Sequence, residues 1–372
     1  MYPCPAAPRV LPSDLSNSLD SGPREKWVHR SRGLRVVIRQ LSIYQPVVPA
    51  QNSMNEVDRL NSLFISHRAS DVIQFLDQFE TRGSLIDWLK FRPATEPTIH
   101  EVDGETDVTV VIPTSNFEGP LAVNSREHVF KGLHIVFVES RKPVDAYFNI
   151  GHNVNAGVTR ARRYSPRWIV YAGDDMIGVD APAVLSQALA KCDPSEFDSV
   201  FVLPEGRYHS LMANLGRQNV LRSVAFSLTP ARRAILRLEQ KFGVTLFDSR
   251  ASGAKRIFFS KGYQHWSIAS MGIVSSSFLS RTGGRMFDET FANDGLDIEL
   301  SLRLTRDREK YTFVNFRIDE HVGATMGLDD ARRLRMVANY AYLQDLLERR
   351  PEDYFPDSSG AANFLLGSQL KH

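Results

Sequence analysis

The segment WIVYAGDDM runs from an apolar stretch, Trp168 to Ala172, through Gly173 into two adjacent carboxylates, Asp174 and Asp175. Neighbouring like charges repel, and Asp is depleted inside strands, so the pair belongs at a strand end. The plain reading of acid at such a place is a turn cap. Chemistry requires other groups to arrive beside it, and two further apolar runs end in the same manner. VTVVI leads into Pro113, Thr114, Ser115 and Asn116, and HIVFV leads into Glu139 and Ser140. Ligands of open α/β sheets bind beyond the carboxyl ends of the strands, so three such strand ends are expected to converge on one site.

The elements that must position these residues are legible in the pattern. From Asp107 onward, strand-like runs at 107–113, 133–140, 167–175 and 199–206 alternate with helix-length stretches. Continuous Val, Ile and Phe strands separated by helices imply a parallel sheet covered on both faces. Upstream, apolar residues at helical spacing from Met54 to Phe91 imply a small helical N-terminal module within residues 51–106, followed by the polar linker TEPTIHEVDGET. Residues 1–50 read as a partly ordered extension with one short strand-like patch at 34–38. The chain closes with residues 329–372, an amphipathic helix from Asp330 to Arg349 and a Ser/Gly-rich tail.

Composition narrows the class. With 372 residues, 42% hydrophobic, the chain can bury a large core, and a net charge of +2 makes no global demand for nucleic acid as partner. Cys4 and Cys192 stand too far apart for a disulfide framework or a metal motif, which suits a reducing cytoplasm. No apolar run approaches the roughly 20 residues of a membrane span, and Pro and acid interrupt the N-terminus where a signal peptide needs an apolar stretch.

Five pieces in order then carry a resemblance: VTVVIPTSN, IVFVES, NVNAGVTRAR, WIVYAGDDM and GGRMFDETFANDGLDIELSLRL. Together, over Asp107 to Met326, they resemble family-two-like glycosyltransferases of the GT-A nucleotide-sugar fold. The resemblance implies a Rossmann-like α/β fold, with a mixed, mainly parallel sheet flanked by helices. Its nucleotide-sugar-binding half falls at 107–206 and its acceptor-side, catalytic half at 207–328.

Residue by residue, the resemblance places Pro113, Thr114 and Glu139 against the nucleoside. Asn155, Gly157 and Arg162 fall on a turn and helix that face the diphosphate, where helix amides and a guanidinium suit anionic oxygen. Asp174 lies nearer the sugar or ribose. Asp175 falls on the metal-ligating position, with His321 as a further ligand in a matching H-x-G-x-T context. Carboxylate oxygens suit magnesium or manganese, and an added imidazole favours manganese. Gly173 departs from the pattern by standing where the family carries an acid. Asp297 falls on the general-base position, and Leu296 replaces the acid that normally precedes it. Asp288, Glu289, Glu299 and Trp266 fall on the acceptor side. Asp294 is the alternative base should the loop register differ, and Glu299 with Arg303 also reads as an ordinary i,i+4 helix pair.

Residues 207–261 form an insertion rich in Lys and Arg, with only Glu239 and Asp248 against them. One reading is a surface for an anionic acceptor or for the cytoplasmic face of a membrane; the other is a core-packed helix at 230–242 with a solvated basic back. The sequence therefore leads to an expectation of a metal-dependent, inverting transferase. Its donor is a nucleotide-diphospho-sugar, its acceptor a carbohydrate or glycoconjugate hydroxyl, and its metal Mn2+ or Mg2+. The alternatives are a sugar-phosphate nucleotidyltransferase, although PTSNFEGP lacks the Gly-rich basic loop that class needs, and an inactive binding or scaffold protein, which the departures at Gly173 and Leu296 favour. Oligomeric state is left open.

Overall fold

A computed structural model of the chain describes residues 56–92, 94–140, 149–202, 230–242, 271–292, 294–321 and 330–355. The patch at 34–38, Trp266, the rest of the basic insertion outside 230–242 and the C-terminal tail lie outside the described residues.

Seven strands build the central sheet: β1 (Thr98–Val102), β2 (Glu105–Thr114), β3 (Leu133–Glu139), β4 (Trp168–Ala172), β6 (Ser199–Val202), β7 (Met271–Ser275) and β8 (Tyr311–Val314). Their order is β1-β3-β2-β4-β7-β6-β8. β2, β3, β4, β6 and β8 share one direction, while β1 and β7 run against it. The protein is thus α/β, with a mixed, mostly parallel sheet flanked by helices. The alternation of side chains divides β2 between two cores. Val111 joins the core on one face, and Val108, Val110 and Ile112 join the other. Burial on both faces is why these strands read as continuous apolar runs.

On the second face lie α4 (Pro120–Asn124) and α6 (Pro182–Ala190), which contribute Ala122, Leu185 and Leu189. The first face carries the larger layer. It holds α1 (Glu56–Ile65), α2 (Ala69–Asp77), α3 (Arg82–Phe91), α5 (Ile150–Ala161), α7 (Pro230–Phe242), α8 (Ser276–Arg281), α9 (Leu296–Thr305) and α10 (Asp330–Arg349). Local chemistry starts α3 cleanly. The Thr81 side chain accepts from the Ser84 amide at 3.1 Å, and the Ser84 hydroxyl accepts from the Thr81 amide in return.

The expected polar linker at 95–106 is corrected: Thr98–Val102 forms β1, antiparallel to β3 at the sheet edge. Its polar text hid it, because an edge strand is half-exposed and spends its charges across the ladder. His100 lies 2.9 Å from Glu139, and Glu101 lies 3.3 Å from His134. The C-terminal helix occupies Asp330–Arg349 as expected, but its burial is not confined to one stripe. Val337, Tyr340, Tyr342, Leu343 and Leu347 are buried as well as Ala331, Leu334, Ala338, Ala341 and Leu346. The N-terminal helices and α7 cover what would otherwise be its outer side, with Arg82 paired to Glu348 across the join.

The helix at 230–242 follows its core-packed reading. Ile235, Leu238 and Phe242 are buried, Lys241 Nζ donates to the Leu76 carbonyl at 3.3 Å, and Arg237 pairs with Asp77. Its apolar face is therefore committed to protein. Among the described residues no helix is long and apolar enough to cross a membrane.

Gly157 marks a close approach of α5 to the sheet. A Cβ there would stand 2.5 Å from Val111 Cγ1 and 2.6 Å from Val138 Cγ2. Gly157→Val should lower the unfolding free energy by about 3 kcal/mol through overpacking, read as a lower urea midpoint at unchanged slope. An unchanged midpoint would mean that α5 does not sit against β2 and β3 as described.

Candidate functional site

The parallel register brings the strand ends together. Thr114 lies directly opposite Glu139, and β4 runs beside β2 on its other side. The chain leaving β4 carries Asp174, which is buried, and the Thr114 hydroxyl donates to Asp174 Oδ2 at 2.8 Å. The Ser125 hydroxyl donates to the Asp174 carbonyl at 3.2 Å, fixing the backbone on the other side. Glu139 is held equally firmly. Its Oε1 accepts from the Phe117 amide at 3.1 Å and its Oε2 lies against His100, and the amide first, then the imidazole, hold its carboxyl below the usual range.

A second, two-stranded ladder completes the rim. β5 (Met176–Gly178) pairs antiparallel with β9 (Ile318–Glu320), putting Met176 opposite Glu320. The ladder continues one step further, where the His321 amide donates to the Asp175 carbonyl at 2.9 Å. Asp175 and His321, 146 positions apart by their numbers in the sequence, are thereby neighbours. Asp175 is half-buried, and its carboxyl is pushed up to about 6 by burial first and then by the charges of Asp174 and Glu320, while His321 acts in the opposite sense. Gly173 gains a local reason. A Cβ at that position would stand 2.5 Å from Asp175 Oδ1, so the carboxylate of Asp175 folds back over the space that an acidic side chain would occupy.

The donor chemistry of this rim suits a divalent cation: two carboxylates, a third close by in Glu320, and an imidazole. Among the described residues, however, no group of three or more His, Cys, Asp and Glu side chains is arranged as a ready-made metal site.

Several expected site residues serve the scaffold instead. Asn155 is buried. Its Nδ2 donates to the Phe287 carbonyl and to Glu289 Oε1, and its Oδ1 accepts from the Met286 and Phe287 amides, so it clamps the 286–289 loop rather than facing a diphosphate. Gly157 faces Val111 and Val138 and allows helix-to-sheet packing, not nucleotide approach. Arg162 lies at the wrong end of α5. At the helix start, Asn153 Nδ2 donates to the Ser140 hydroxyl beyond the carboxyl end of β3; past its finish, Tyr164 packs on His134 at the beginning of that strand. Arg162 therefore stands exposed beside Gly284, a strand length away from the acidic rim.

Asp288 accepts from the Tyr342 hydroxyl at 2.7 Å and from the Thr290 amide at 2.9 Å. Glu299 is buried in a bidentate pair with Arg303, with the Tyr354 hydroxyl donating to it at 3.0 Å, which is the plain helix-pair reading. Asp297 opens α9, half-buried. Burial first, then the charge of Asp294, pushes its carboxyl up to about 6, against the amides of Ile298 and of Asp297 itself and the guanidinium of Arg332.

Two residues escaped the sequence reading. Glu320 joins the acidic rim, and its signal was its place next to His321. His152, in the first turn of α5, lies 3.1 Å from Glu289 Oε2, a contact between distant segments with no local signal. The pair draws Glu289 down to about 2, with the His152 hydrogen bond its largest cause, and raises the imidazole. Arg92 supports the same loop by donating to the carbonyls of Glu289, Thr290 and Phe291.

Comparison with protein-family models and with curated proteins finds no match to this chain.

The His152–Glu289 pair has a pH window. Its imidazole part is fully present below 6.5 and lost as pH rises through the raised folded value. Its carboxylate part is present above 4.5 and lost as pH falls toward about 2. The loss of thermal stability in His152→Ala should therefore be largest between those limits and shrink on either side. A difference independent of pH, read from melting midpoints across the range, would mean that the pair is not charged in the fold.

Proposed function

We propose that the protein is a metal-dependent, inverting glycosyltransferase with a GT-A-like fold, moving a sugar from a nucleotide-diphospho-sugar to a hydroxyl acceptor. The observation that carries the reading is the convergence of Thr114, Glu139, Asp174, Asp175 and His321 at one rim of the sheet. These are the residues that the ordered motifs single out, and local turn capping gives no reason for segments so distant in sequence to meet. A mixed, mostly parallel sheet flanked by helices is the architecture that the resemblance calls for.

In this reading Glu139 presents a pre-oriented carboxylate to ribose or base, since two hydrogen bonds already fix its plane and leave lone pairs to accept more. Thr114 keeps Asp174 in one rotamer, so its carboxylate would meet the donor without reorganisation. Asp175 and His321 would hold a divalent cation, and that cation supplies neutralisation of the charge gathering on the departing diphosphate. Asp297 takes the proton of the acceptor hydroxyl. Its carboxyl, pushed up to about 6, is basic enough to accept that proton and still ionised near neutral pH.

A second reading, a binding or scaffold module without catalysis, is favoured by one observation: Asn155, Asp288, Glu289 and Glu299, all expected near the donor or acceptor, are engaged in internal contacts. The basic segment at 207–261 and the cytoplasmic location remain expectations of the same proposal.

The test is turnover of a nucleotide-sugar panel with and without manganese. Manganese-dependent release of free nucleoside diphosphate is expected, pyrophosphate release would mark nucleotidyl transfer, and silence across the panel would favour the binding module. Asp297→Asn should cut turnover by about a hundredfold or more while donor affinity stays within a few fold. Lost donor affinity in that variant would make Asp297 a binding or structural residue instead.

A further inference from the structure

The edge strand β1 lies outside the span that carries the resemblance, and it makes two His–carboxylate contacts with β3 that differ in kind. Glu101 is consumed by the scaffold: its carboxylate accepts from Arg160 and from the Tyr164 hydroxyl at 2.7 Å, and lies 3.3 Å from His134 Nε2. Glu139, opposite Thr114 at the sheet rim, has one partner on each oxygen among the described residues. Oε1 accepts from the Phe117 amide at 3.1 Å, and Oε2 lies 2.9 Å from His100 Nε2. A carboxylate offers about four lone-pair sites, so each oxygen keeps room for a further donor. With its side chain 25% exposed, Glu139 can be reached from solvent.

His100, Phe117 and Glu139 close a ring of contacts. The two aromatic rings stack in parallel, 4.2 Å between centroids and 2° between planes. The residue that gives its amide to one carboxylate oxygen thus also sets the plane of the imidazole that holds the other. Arg126 seats Phe117 in turn, with its guanidinium carbon 4.6 Å from the ring centroid and Nη1 donating to the Phe117 carbonyl at 2.7 Å. An ionised carboxylate only accepts, so the nitrogen that faces Glu139 must carry a proton.

We propose that His100 is the positioning residue for Glu139, and that the carboxylate it holds takes two adjacent hydrogen-bond donors of a nucleoside, one on each oxygen. The nucleoside as ligand rests on the sugar-transfer reading; the positioning does not. Two parts of a nucleoside present such a pair: the vicinal ribose hydroxyls, and the guanine edge, where a ring N–H stands beside the exocyclic amine. Without His100 the carboxylate is tied through Oε1 alone and can turn about that contact. Binding then has to fix its plane first, which costs affinity for any ligand that needs both oxygens.

The experiment is calorimetry of the full chain with manganese against guanosine, inosine and uridine diphosphates and their 2′-deoxy forms, in wild type, His100→Phe, Glu139→Gln and the double variant. A guanine-edge contact makes guanosine diphosphate about tenfold tighter than inosine diphosphate, which lacks the amine; a ribose contact makes each ribonucleotide about tenfold tighter than its deoxy form, whatever the base. One of these two patterns is expected, and affinity indifferent to both changes overturns the paired-donor contact. His100→Phe keeps a ring against Phe117 but no donor, so it should erase most of that discrimination, and in the Glu139→Gln background it should add no further loss. Discrimination intact in His100→Phe, or an equal further loss in the double variant, overturns the positioning. Nitrogen-15 spectra of the wild type need no variant to fold: a proton on His100 Nε2 at neutral pH is expected, and an unprotonated Nε2 overturns the positioning as well. A wild type that binds no nucleoside diphosphate, with Nε2 protonated, upholds His100 as the holder of Glu139 and counts against sugar transfer.

Discussion

The arrangement at the sheet rim depends on one short stretch of backbone pairing. β5 and β9 contribute three residues each, yet this ladder and its extension from the His321 amide to the Asp175 carbonyl hold the loop after β4 in contact with a segment far along the chain. Without it, Asp174 and Asp175 would be a turn at the end of a strand. With it, two adjacent carboxylates and Glu320 are crowded at a partly buried edge, and burial first, then that crowding, raises the Asp175 carboxyl. In the proposed reading, an incoming cation offsets that concentrated charge.

On the other face of the sheet, polar residues hold the scaffold. Asn155, Arg92, Asn339 and the Glu299–Arg303 pair secure the 286–299 region to α5, α3 and α10, so the loop entering α9 is tied from several sides. Rigid support of this kind is what positioning a single base requires, because an active group held a fraction of an ångström from its place loses much of its effect. The two acidic groups, one at β4 and β9 and one at the start of α9, sit on elements that pack into different cores, Met176 and Ile318 on one face of the sheet and Leu296 and Ile298 on the other.

Much of this was legible in the sequence, for physical reasons that can be named. Strands β2, β3, β4 and β6 were visible because parallel strands buried on both faces must be apolar throughout, and the helix at Asp330–Arg349 because its periodicity and Pro351 bracket it. β1 was not, since an edge strand carries charges that pair only with residues on another strand. Motif order singled out Thr114, Asp174, Asp175 and His321 as site candidates, and the fold brings these four together. Asn155, Gly157 and Arg162 were assigned to a phosphate because glycine, amide and guanidinium suit one in a motif. Only the three-dimensional packing reveals that the glycine faces two valines and the arginine lies at the opposite end of the helix. The His152–Glu289 contact joins residues with no local relation, so no reading of spacing reaches it.

The central claim, that a cation offsets the crowded carboxylates, is tested most directly by anomalous scattering from crystals grown with manganese and a nucleoside diphosphate. The account predicts a manganese peak bonded to Asp175 and His321, with the Asp175 carboxylate swung off Gly173 toward the metal. A peak elsewhere, or no peak with Asp175 still folded over Gly173, would contradict it.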